Sequence, residues 1–228
     1  MNYIVIPAYQ PDNKLIKLIE KIHEKSDFRI LVIDDGSSSK CQNIFDKVEQ
    51  YATVLRHQVN QGKGQALKTA FTYIQQQNSY GTVVTADADG QHKIWDIFRT
   101  ANKASENPNK LILGVRAFTG KVPLRSRFGN SLTKALFKIQ TGVEVADTQT
   151  GLRAFTTNLI PFMLKIEGQR YEYEMNMLLE ATKEYQILEV PIETVYINDN
   201  EGSHFRPIKD GLMIYKNIFK FALSSLSS

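Results

Sequence analysis

The sequence predicts an α/β protein, a single domain in which a mostly parallel central sheet is flanked by helices. Three observations support this prediction. The first half of the chain alternates short β-branched runs with segments whose apolar residues recur at helical spacing. The 228 residues are enough for one such domain with a full core. No internal repeat, low-complexity tract or Pro/Gly linker divides the chain, so we expect residues 1–228 to form one domain.

Four strands and three helices are predicted in alternation along the first part of the chain. Each strand is a short, largely apolar run, typical of buried parallel strands. The first and third helices place apolar residues on one face at a spacing of three or four. The strands are predicted at residues 3–7, 28–33, 53–56 and 82–86, and the helices at 15–22, 43–50 and 66–74.

The second half of the chain is less regular. A strand is predicted at 111–115, helices at 127–139 and 174–183, and an extended segment at 186–196. From Ile214 to Leu223, apolar and aromatic residues are interleaved with lysines. This segment has two interpretations, a core-packing helix with solvated lysines or an interfacial helix within 207–228 that lies on an anionic membrane. The sequence leaves both open.

The composition excludes several classes of protein. Hydrophobic and charged residues, at 42% and 23%, are close to globular averages. The net charge of +4 is too small and dispersed to indicate nucleic-acid binding. Cys41 is the single cysteine and forms no internal disulfide, which fits a reducing cytoplasm. Neither a signal peptide nor a membrane-spanning run is recognisable, so we expect a cytoplasmic protein.

The most informative acidic residues follow predicted strands. Asp34 and Asp35 come after the second strand, and Asp87 and Asp89 come after the fourth. Ligands of open α/β sheets bind at the carboxyl ends of the strands. Converging carboxylates repel one another unless a cation offsets the repulsion, and hard oxygen ligands favour Mg²⁺ or Mn²⁺. We therefore expect a divalent-cation site near Asp87 and Asp89.

Basic residues form a second group. Lys63 lies between two glycines at the start of a predicted helix, where a lysine suits an anionic ligand, although an ordinary loop-to-helix turn explains the same pattern. His57, at a strand end, is interpreted as structural. Arginine forks bind phosphate oxygens, and we expect an anionic substrate near some members of the following group, with Arg125 a solvated surface charge. The group comprises Arg116, Arg125, Arg127, Arg153 and Arg206.

Six short motifs occur in a fixed order along the chain. They are Ile6-Pro7-Ala8-Tyr9, Asp34-Asp35-Gly36-Ser37, Gly62-Lys63-Gly64-Gln65-Ala66, Asp87-Ala88-Asp89-Gly90-Gln91-His92, Gly114-Val115-Arg116 and Asp147-Thr148-Gln149-Thr150-Gly151-Leu152-Arg153. Together they resemble the family 2 glycosyltransferases of GT-A fold, and more narrowly the polyprenyl-phosphate branch similar to dolichol-phosphate mannose synthase. The resemblance extends over about residues 3 to 215 and is closest to bacterial members.

This resemblance implies a nucleotide-sugar donor, better UDP-linked than GDP-linked. The nucleotide would contact Pro7, Tyr9, Asp34, Asp35, Lys63 and Asp87. The cation, Mg²⁺ or Mn²⁺, would be held against the donor diphosphate by Asp87, Asp89 and Gln91. Arg206 would close over the donor phosphates.

The resemblance also implies a polyprenyl phosphate acceptor, undecaprenyl phosphate in bacteria. Its phosphate would contact Arg116, Arg127 and Ser131, of which Arg127 and Ser131 share a helical face. The family often has a bulky apolar residue where Gly90 stands, and many members carry C-terminal transmembrane helices that are not recognisable here. We therefore expect peripheral attachment to the inner face of the cell membrane, or a separate membrane-protein partner.

The implied reaction transfers a sugar with inversion, with Asp89, Arg116, Arg127 and Arg206 as catalytic residues. An ionised phosphate acceptor needs no strong general base. A sugar-hydroxyl acceptor would need one, and the candidates are then Asp147 or Glu174. Two other classes stay as alternatives, a nucleotidyltransferase, which lacks its expected Gly-rich loop here, and a catalytically silent sugar-nucleotide-binding subunit.

Overall fold

The computed structural model describes residues 1–116 and 124–193, with the backbone alone for 124–130 and 132. Within these ranges the strands are β1 Tyr3–Ala8, β2 Arg29–Asp34, β3 Thr53–Arg56, β4 Thr82–Thr85, β5 Lys110–Arg116, β6 Arg153–Thr156 and β7 Gln186–Ile192. The α-helices are α1 Asn13–Lys25, α2 Gln42–Val48, α3 Lys63–Gln76, α4 Ile94–Glu106, α5 Leu124–Thr141, α6 Ile160–Lys165 and α7 Glu172–Glu184.

The seven strands form one sheet in the order β3-β2-β1-β4-β6-β5-β7. All neighbouring pairs are parallel except those of β6, which runs antiparallel to both β4 and β5. The prediction of a mostly parallel sheet flanked by helices is confirmed. The parallel strands place the ends of β1, β2 and β4 at one edge, where the predicted donor residues lie.

Apolar layers cover both faces of the sheet. Successive residues of β1 point to opposite faces, so Tyr3 and Val5 pack in the layer that contains α3 and α7. Ile4 and Ile6 pack in the layer that contains α1 and α4. Burial on both faces explains why the parallel strands read as continuous apolar runs rather than as alternating patterns.

Three elements of the structure, α4, β6 and α6, are missing from the sequence prediction. The helix α4 buries Ile97, Ala101 and Ala104 at helical spacing, but the small alanines give a weak apolar signal in the sequence. The strand β6 has four residues, and a charged side chain, Arg153, begins it. The helix α6 is a six-residue element with a proline in its first turn.

The remaining predicted elements occur with shifted ends. The helix predicted at 127–139 extends over Leu124–Thr141, and that predicted at 174–183 over Glu172–Glu184. The extended segment predicted to reach residue 196 is a strand to Ile192. The segment from Ile214 to Leu223 lies outside the described residues, as does Arg206. In the part of the chain that is described, no helix combines the length and apolarity needed to cross a bilayer.

Candidate active site

The acidic loop that follows β4 is at the centre of the site. β1 hydrogen-bonds in parallel to β4, so Asp87 and Asp89 emerge beside the end of β1. The backbone N–H of Gln91 donates to Asp89 Oδ1 over 3.0 Å, which closes a tight turn within the loop. His92 is buried, and its Nε2 lies 3.4 Å from Asp87 Oδ2.

Lys63 bridges this loop to the helix α7. Its Nζ lies 2.7 Å from Asp87 Oδ1 and 2.8 Å from Glu174 Oε2. The start of α3 therefore places a lysine on two carboxylates of the protein. The helix α3 begins at Lys63 with Gly62 as its N-cap, which fits both interpretations of this segment, and the contact of Lys63 with a nucleotide stays a prediction.

The two glycines that flank Lys63 allow this contact. A Cβ atom at Gly64 would lie 2.4 Å from Tyr173 Cβ, and one at Gly62 would lie 2.5 Å from the carbonyl oxygen of Gln169. Gly62 also has a φ of +104°, which disfavours other residues. Because these two positions are glycines, the backbone at the start of α3 lies close to the segment before α7. This closeness brings Lys63 within reach of Glu174.

Burial and neighbouring charges set the protonation of the loop. Burial by itself would lower the pKa of Lys63, but the carboxylates of Asp87 and Glu174 outweigh it and raise that pKa above its usual value. Burial opposes ionisation of Asp87, yet Lys63 and His92 hold its pKa well below the ordinary range. The pKa of Asp89 is raised, first by burial and then by the charge of Asp87.

The donor set of this loop fits a hard divalent cation. Asp89 forms no ion pair with a lysine or arginine within the described ranges, although Asp87 does. Burial and the charge of Asp87 disfavour the ionised form of Asp89, and a cation bound beside the two carboxylates would stabilise that form. Residues 1–116 and 124–193 contain no group of three His, Cys, Asp or Glu side chains arranged around a metal. Any cation here therefore needs further oxygens, such as those of Gln91 and a diphosphate.

The ends of β1 and β2 meet beside the acidic loop. Ala8 and Asp34 are register partners, which brings Pro7 and Tyr9 close to the Asp34-Asp35 pair. Tyr9 is 38% exposed at this edge. Asp34 is buried, and its Oδ1 accepts a hydrogen bond from the backbone N–H of Ser37 over 2.9 Å. The structure therefore brings the predicted nucleotide residues together, and their contact with a nucleotide stays a prediction.

Asp35 has a structural task that the sequence did not reveal. Its carboxylate is hydrogen-bonded to the His57 ring at 2.7 Å and to Asn60 Nδ2 at 2.9 Å. It also accepts from the backbone N–H groups of Gln61 and Gly62, at 2.9 and 2.8 Å. Asp35 thus fixes the loop that leads into α3. The interpretation of His57 as structural agrees with these contacts, because its second nitrogen is 2.9 Å from Thr69 Oγ1.

A second ion pair lies at the end of β5. Arg116 Nε and Nη2 donate to the two carboxylate oxygens of Asp147 over 2.5 and 3.0 Å, in a bidentate arrangement. Asp147 is fully buried. Hydrogen bonds from Thr150 Oγ1 to the Gly114 carbonyl and from Thr85 Oγ1 to the Gly151 carbonyl hold the intervening segment between β5 and β4.

Arg153 does not belong to the phosphate-binding group that the sequence indicated. It is 1% exposed, and its Nε donates to the carbonyl of Thr150 over 3.0 Å. Its Nη1 donates to the backbone carbonyl of Glu174. Burial lowers the pKa of this guanidinium, and nearby carboxylates oppose the shift. Arg153 has a structural role in the protein interior because it lies on the buried strand β6. The sequence did not predict this strand, and so it did not predict the burial of Arg153.

The structure describes the other predicted acceptor and phosphate-binding residues only in part. Arg127 and Ser131 both lie on α5, one turn apart, and Ser131 is exposed. The side chains of Arg125 and Arg127 lie outside the described atoms, and Arg206 lies outside the described residues. The predicted roles of Arg116, Arg127, Ser131 and Arg206 therefore stay predictions.

The sequence matches the model of glycosyl transferase family 2 over residues 3–163. The UDP-N-acetylglucosamine–dolichyl-phosphate N-acetylglucosaminyltransferase of Methanococcus voltae is 26% identical over 215 residues, covering 85% of each chain. The dolichyl-phosphate β-glucosyltransferase of Saccharomyces cerevisiae is 25% identical over 252 residues, covering 94% of this chain and 72% of the yeast protein. Both relatives are named for transfer to dolichyl phosphate, in agreement with the polyprenyl-phosphate branch that the motifs indicated.

The fold also resembles solved structures. Glucosyl-3-phosphoglycerate synthase from Mycobacterium tuberculosis, in complex with Mn²⁺, UDP and glucosyl-3-phosphoglycerate, matches with a TM-score of 0.70 and 18% identity. The match covers 98% of this chain and 79% of the mycobacterial chain, and it confirms the GT-A-like architecture. Because the family model covers well over half of the sequence, the chain belongs to glycosyl transferase family 2.

Proposed function

We propose that this protein transfers a hexose (glucose, N-acetylglucosamine or mannose) from a nucleotide sugar to a polyprenyl phosphate, with inversion at the anomeric carbon. The donor is a UDP-sugar and the acceptor is undecaprenyl phosphate, in the service of cell-envelope glycan synthesis. Relatives named for transfer to dolichyl phosphate, at 25–26% identity over most of the chain, support this acceptor class.

The observation that carries the proposal is the pairing of both candidate bases. Asp147 is fully buried and bonded through both oxygens to Arg116. Glu174 is buried and paired with Lys63. A carboxylate held by a cation inside the protein is poorly placed to take a proton from a sugar hydroxyl. An acceptor phosphate is already ionised, so this site suits it without a base.

Without a general base, catalysis depends on positioning the donor and acceptor and on stabilising the charge that develops during transfer. An acceptor phosphate oxygen attacks the anomeric carbon, and the bond to the nucleoside diphosphate breaks with its electron pair left on the diphosphate. Arg116, Arg127 and Ser131 orient the acceptor phosphate, and Arg206 neutralises the donor phosphates. Asp87, Asp89 and Gln91 would hold Mg²⁺ or Mn²⁺, which would supply charge stabilisation to the leaving diphosphate.

The lipid acceptor places the reaction at a membrane surface. We propose that the protein works on the cytoplasmic face as a peripheral protein, with its C-terminal segment or a separate membrane protein providing attachment. The lysines between Ile214 and Leu223 would favour anionic lipid.

The direct test is a transfer assay with purified full-length protein. Labelled UDP-glucose, UDP-N-acetylglucosamine and GDP-mannose are each incubated with Mn²⁺ and undecaprenyl phosphate in detergent. We expect one UDP-sugar to give an organic-soluble product, and we expect none with EDTA. Undecaprenol, which has a hydroxyl in place of the phosphate, is the matched acceptor control. Transfer to undecaprenol or to free sugars at a comparable rate would overturn the proposed acceptor.

A further inference from the structure

Lys63 lies between the acidic loop and α7. Its ammonium is within 2.8 Å of a carboxylate oxygen on each side, from Asp87 and from Glu174. The second oxygen of Asp87 faces His92, and it lies beside Gly151, where a Cβ atom would approach within 2.4 Å. The Asp87 carboxylate is therefore fixed from both sides.

Glu174 is held through one of its two carboxylate oxygens, Oε2, which contacts Lys63. Its Oε1 is buried and accepts no hydrogen bond within the described part of the chain. The side chain of Arg153 lies next to Glu174. Its Nη2 is likewise buried and has no hydrogen-bond partner within the described part of the chain. Leaving a buried acceptor unsatisfied is costly, so the two cations must stabilise the Glu174 carboxylate.

We infer that Lys63 and Glu174 are positioning residues of the donor site, forming a clamp that orients the Asp87 carboxylate and balances its charge before a cation binds. We call this pair the Lys63–Glu174 clamp. The inference rests on the proposed function, because Asp87 is assigned there to the cation and the donor diphosphate.

The clamp affects cation binding through the balance of charge around Asp87. Three carboxylates (Asp87, Asp89 and Glu174) lie close to two cations (Lys63 and Arg153), and the charges of the adjoining Arg116–Asp147 pair cancel, so one negative charge remains. That remainder attracts a divalent ion, while the two internal cations keep the metal-free loop stable. Removing the charge of Lys63 should strengthen cation binding, and removing that of Glu174 should weaken it.

The clamp itself is tested without metal. Thermal unfolding in EDTA is measured for Lys63→Met, for Glu174→Gln and for the double variant. Each single change leaves one member of the buried Lys63–Glu174 pair without its counter-charge, so each should lower Tm. The double variant removes both members together and should lower Tm by less than the sum of the two. Additive losses would overturn the clamp. Should Lys63→Met fail to fold, recovery of folded protein in the double variant counts as the same coupling, and its absence counts against it.

The effect on the site is tested by Mn²⁺ binding at UDP concentrations that saturate each variant, followed by the electron paramagnetic resonance signal of free Mn²⁺. We expect Lys63→Met to bind roughly tenfold more tightly and Glu174→Gln roughly tenfold more weakly. The double variant should return to within about threefold of the wild type. General damage to the fold would weaken binding in all three, and that result would refute the inference.

Matched controls are available on α1, where Lys17 and Glu20 are exposed. Lys17→Met and Glu20→Gln make the same chemical changes and should alter neither Tm coupling nor Mn²⁺ binding. Failure of the proposed function gives a different result from failure of the clamp. If the wild type binds no Mn²⁺ with UDP, the proposed cation is wrong, and the metal-free coupling still decides whether the clamp exists.

Discussion

At the scale of single residues, Asp89 is a predicted cation ligand that forms no ion pair with a lysine or arginine of the described ranges. Its raised pKa shows that burial and Asp87 disfavour its charge. Asp89→Asn keeps the acceptor that closes the turn with Gln91 but removes the charge. We expect kcat for sugar transfer to fall by roughly 10²-fold or more, because charge stabilisation of the leaving diphosphate is lost.

The control for this substitution is Asp27→Asn, an exposed position before β2. Steady-state kinetics over a range of Mn²⁺ concentrations would compare the two variants. Metal-dependent transfer at the wild-type rate in Asp89→Asn would remove Asp89 from the assigned cation ligands.

Arg127 tests the acceptor side of the site. Arg127→Ala should raise KM for undecaprenyl phosphate by about tenfold or more and leave UDP binding nearly unchanged, since a charge-assisted contact to one phosphate is removed. Transfer kinetics and calorimetric titration with UDP measure the two effects separately. Arg125→Ala, two residues earlier, serves as the control. An equal loss of donor and acceptor binding in Arg127→Ala would contradict its assignment.

The sequence located the polar residues of the donor site but not their partners. Strand ends were recognisable from apolar runs, which placed Asp34, Asp35, Asp87 and Asp89 at one edge of the sheet. The contacts of Lys63 and Arg153 depend on α7 and β6, which are distant in sequence. No local sequence pattern indicates that a lysine after a glycine faces a carboxylate more than one hundred residues away. The pairing of Lys63 with Glu174 was therefore recognised only in the structure.

At the scale of elements, the packing of α3 against the start of α7 depends on Gly64. The Cβ of an alanine there would lie 2.4 Å from Tyr173 Cβ and 2.9 Å from the Arg170 carbonyl oxygen. We expect Gly64→Ala to lower the free energy of unfolding by about 2–3 kcal/mol through overpacking, despite the better helix propensity of alanine. Urea denaturation monitored by circular dichroism measures the change.

Gly142→Ala distinguishes this steric effect from backbone strain. Gly142 has a φ of +71° and no atom within 4 Å of a built Cβ. Its substitution should cost only about 1 kcal/mol, the price of a left-handed conformation. A Gly64→Ala variant as stable as the wild type would mean that α3 and α7 are not in close contact.

Elements whose core face is apolar over several residues were predictable, as β1, β2, β4, β5 and α1 show. Those that were missed have a physical reason in common. In β6 the buried residues include the polar side chains of Arg153 and Thr156, so no apolar run identifies the strand. In α4 two of the core contacts are alanines, which provide little hydrophobic contrast.

At the scale of the whole molecule, attachment to membrane is the testable expectation. A variant ending at Gly211 lacks the apolar and basic segment from Ile214 to Leu223. We expect the full-length chain to sediment with vesicles rich in anionic lipid, and the shortened chain to stay in the supernatant. Neutral vesicles are the lipid control. Binding that survives the truncation would contradict the membrane role, and a large fall in Tm on truncation would favour a core-packing helix instead.

The antiparallel strand β6 constrains how this enzyme could be recombined with its relatives. β6 hydrogen-bonds to β4, which leads into the acidic loop, and to β5, which ends at Arg116. A chimera that took residues 107–193 from another family member would also replace the strand that borders β4, about 4.8 Å away. The graft would need to reproduce that register as well as its own chemistry. Donor and acceptor preferences should therefore be exchanged together more readily than one at a time.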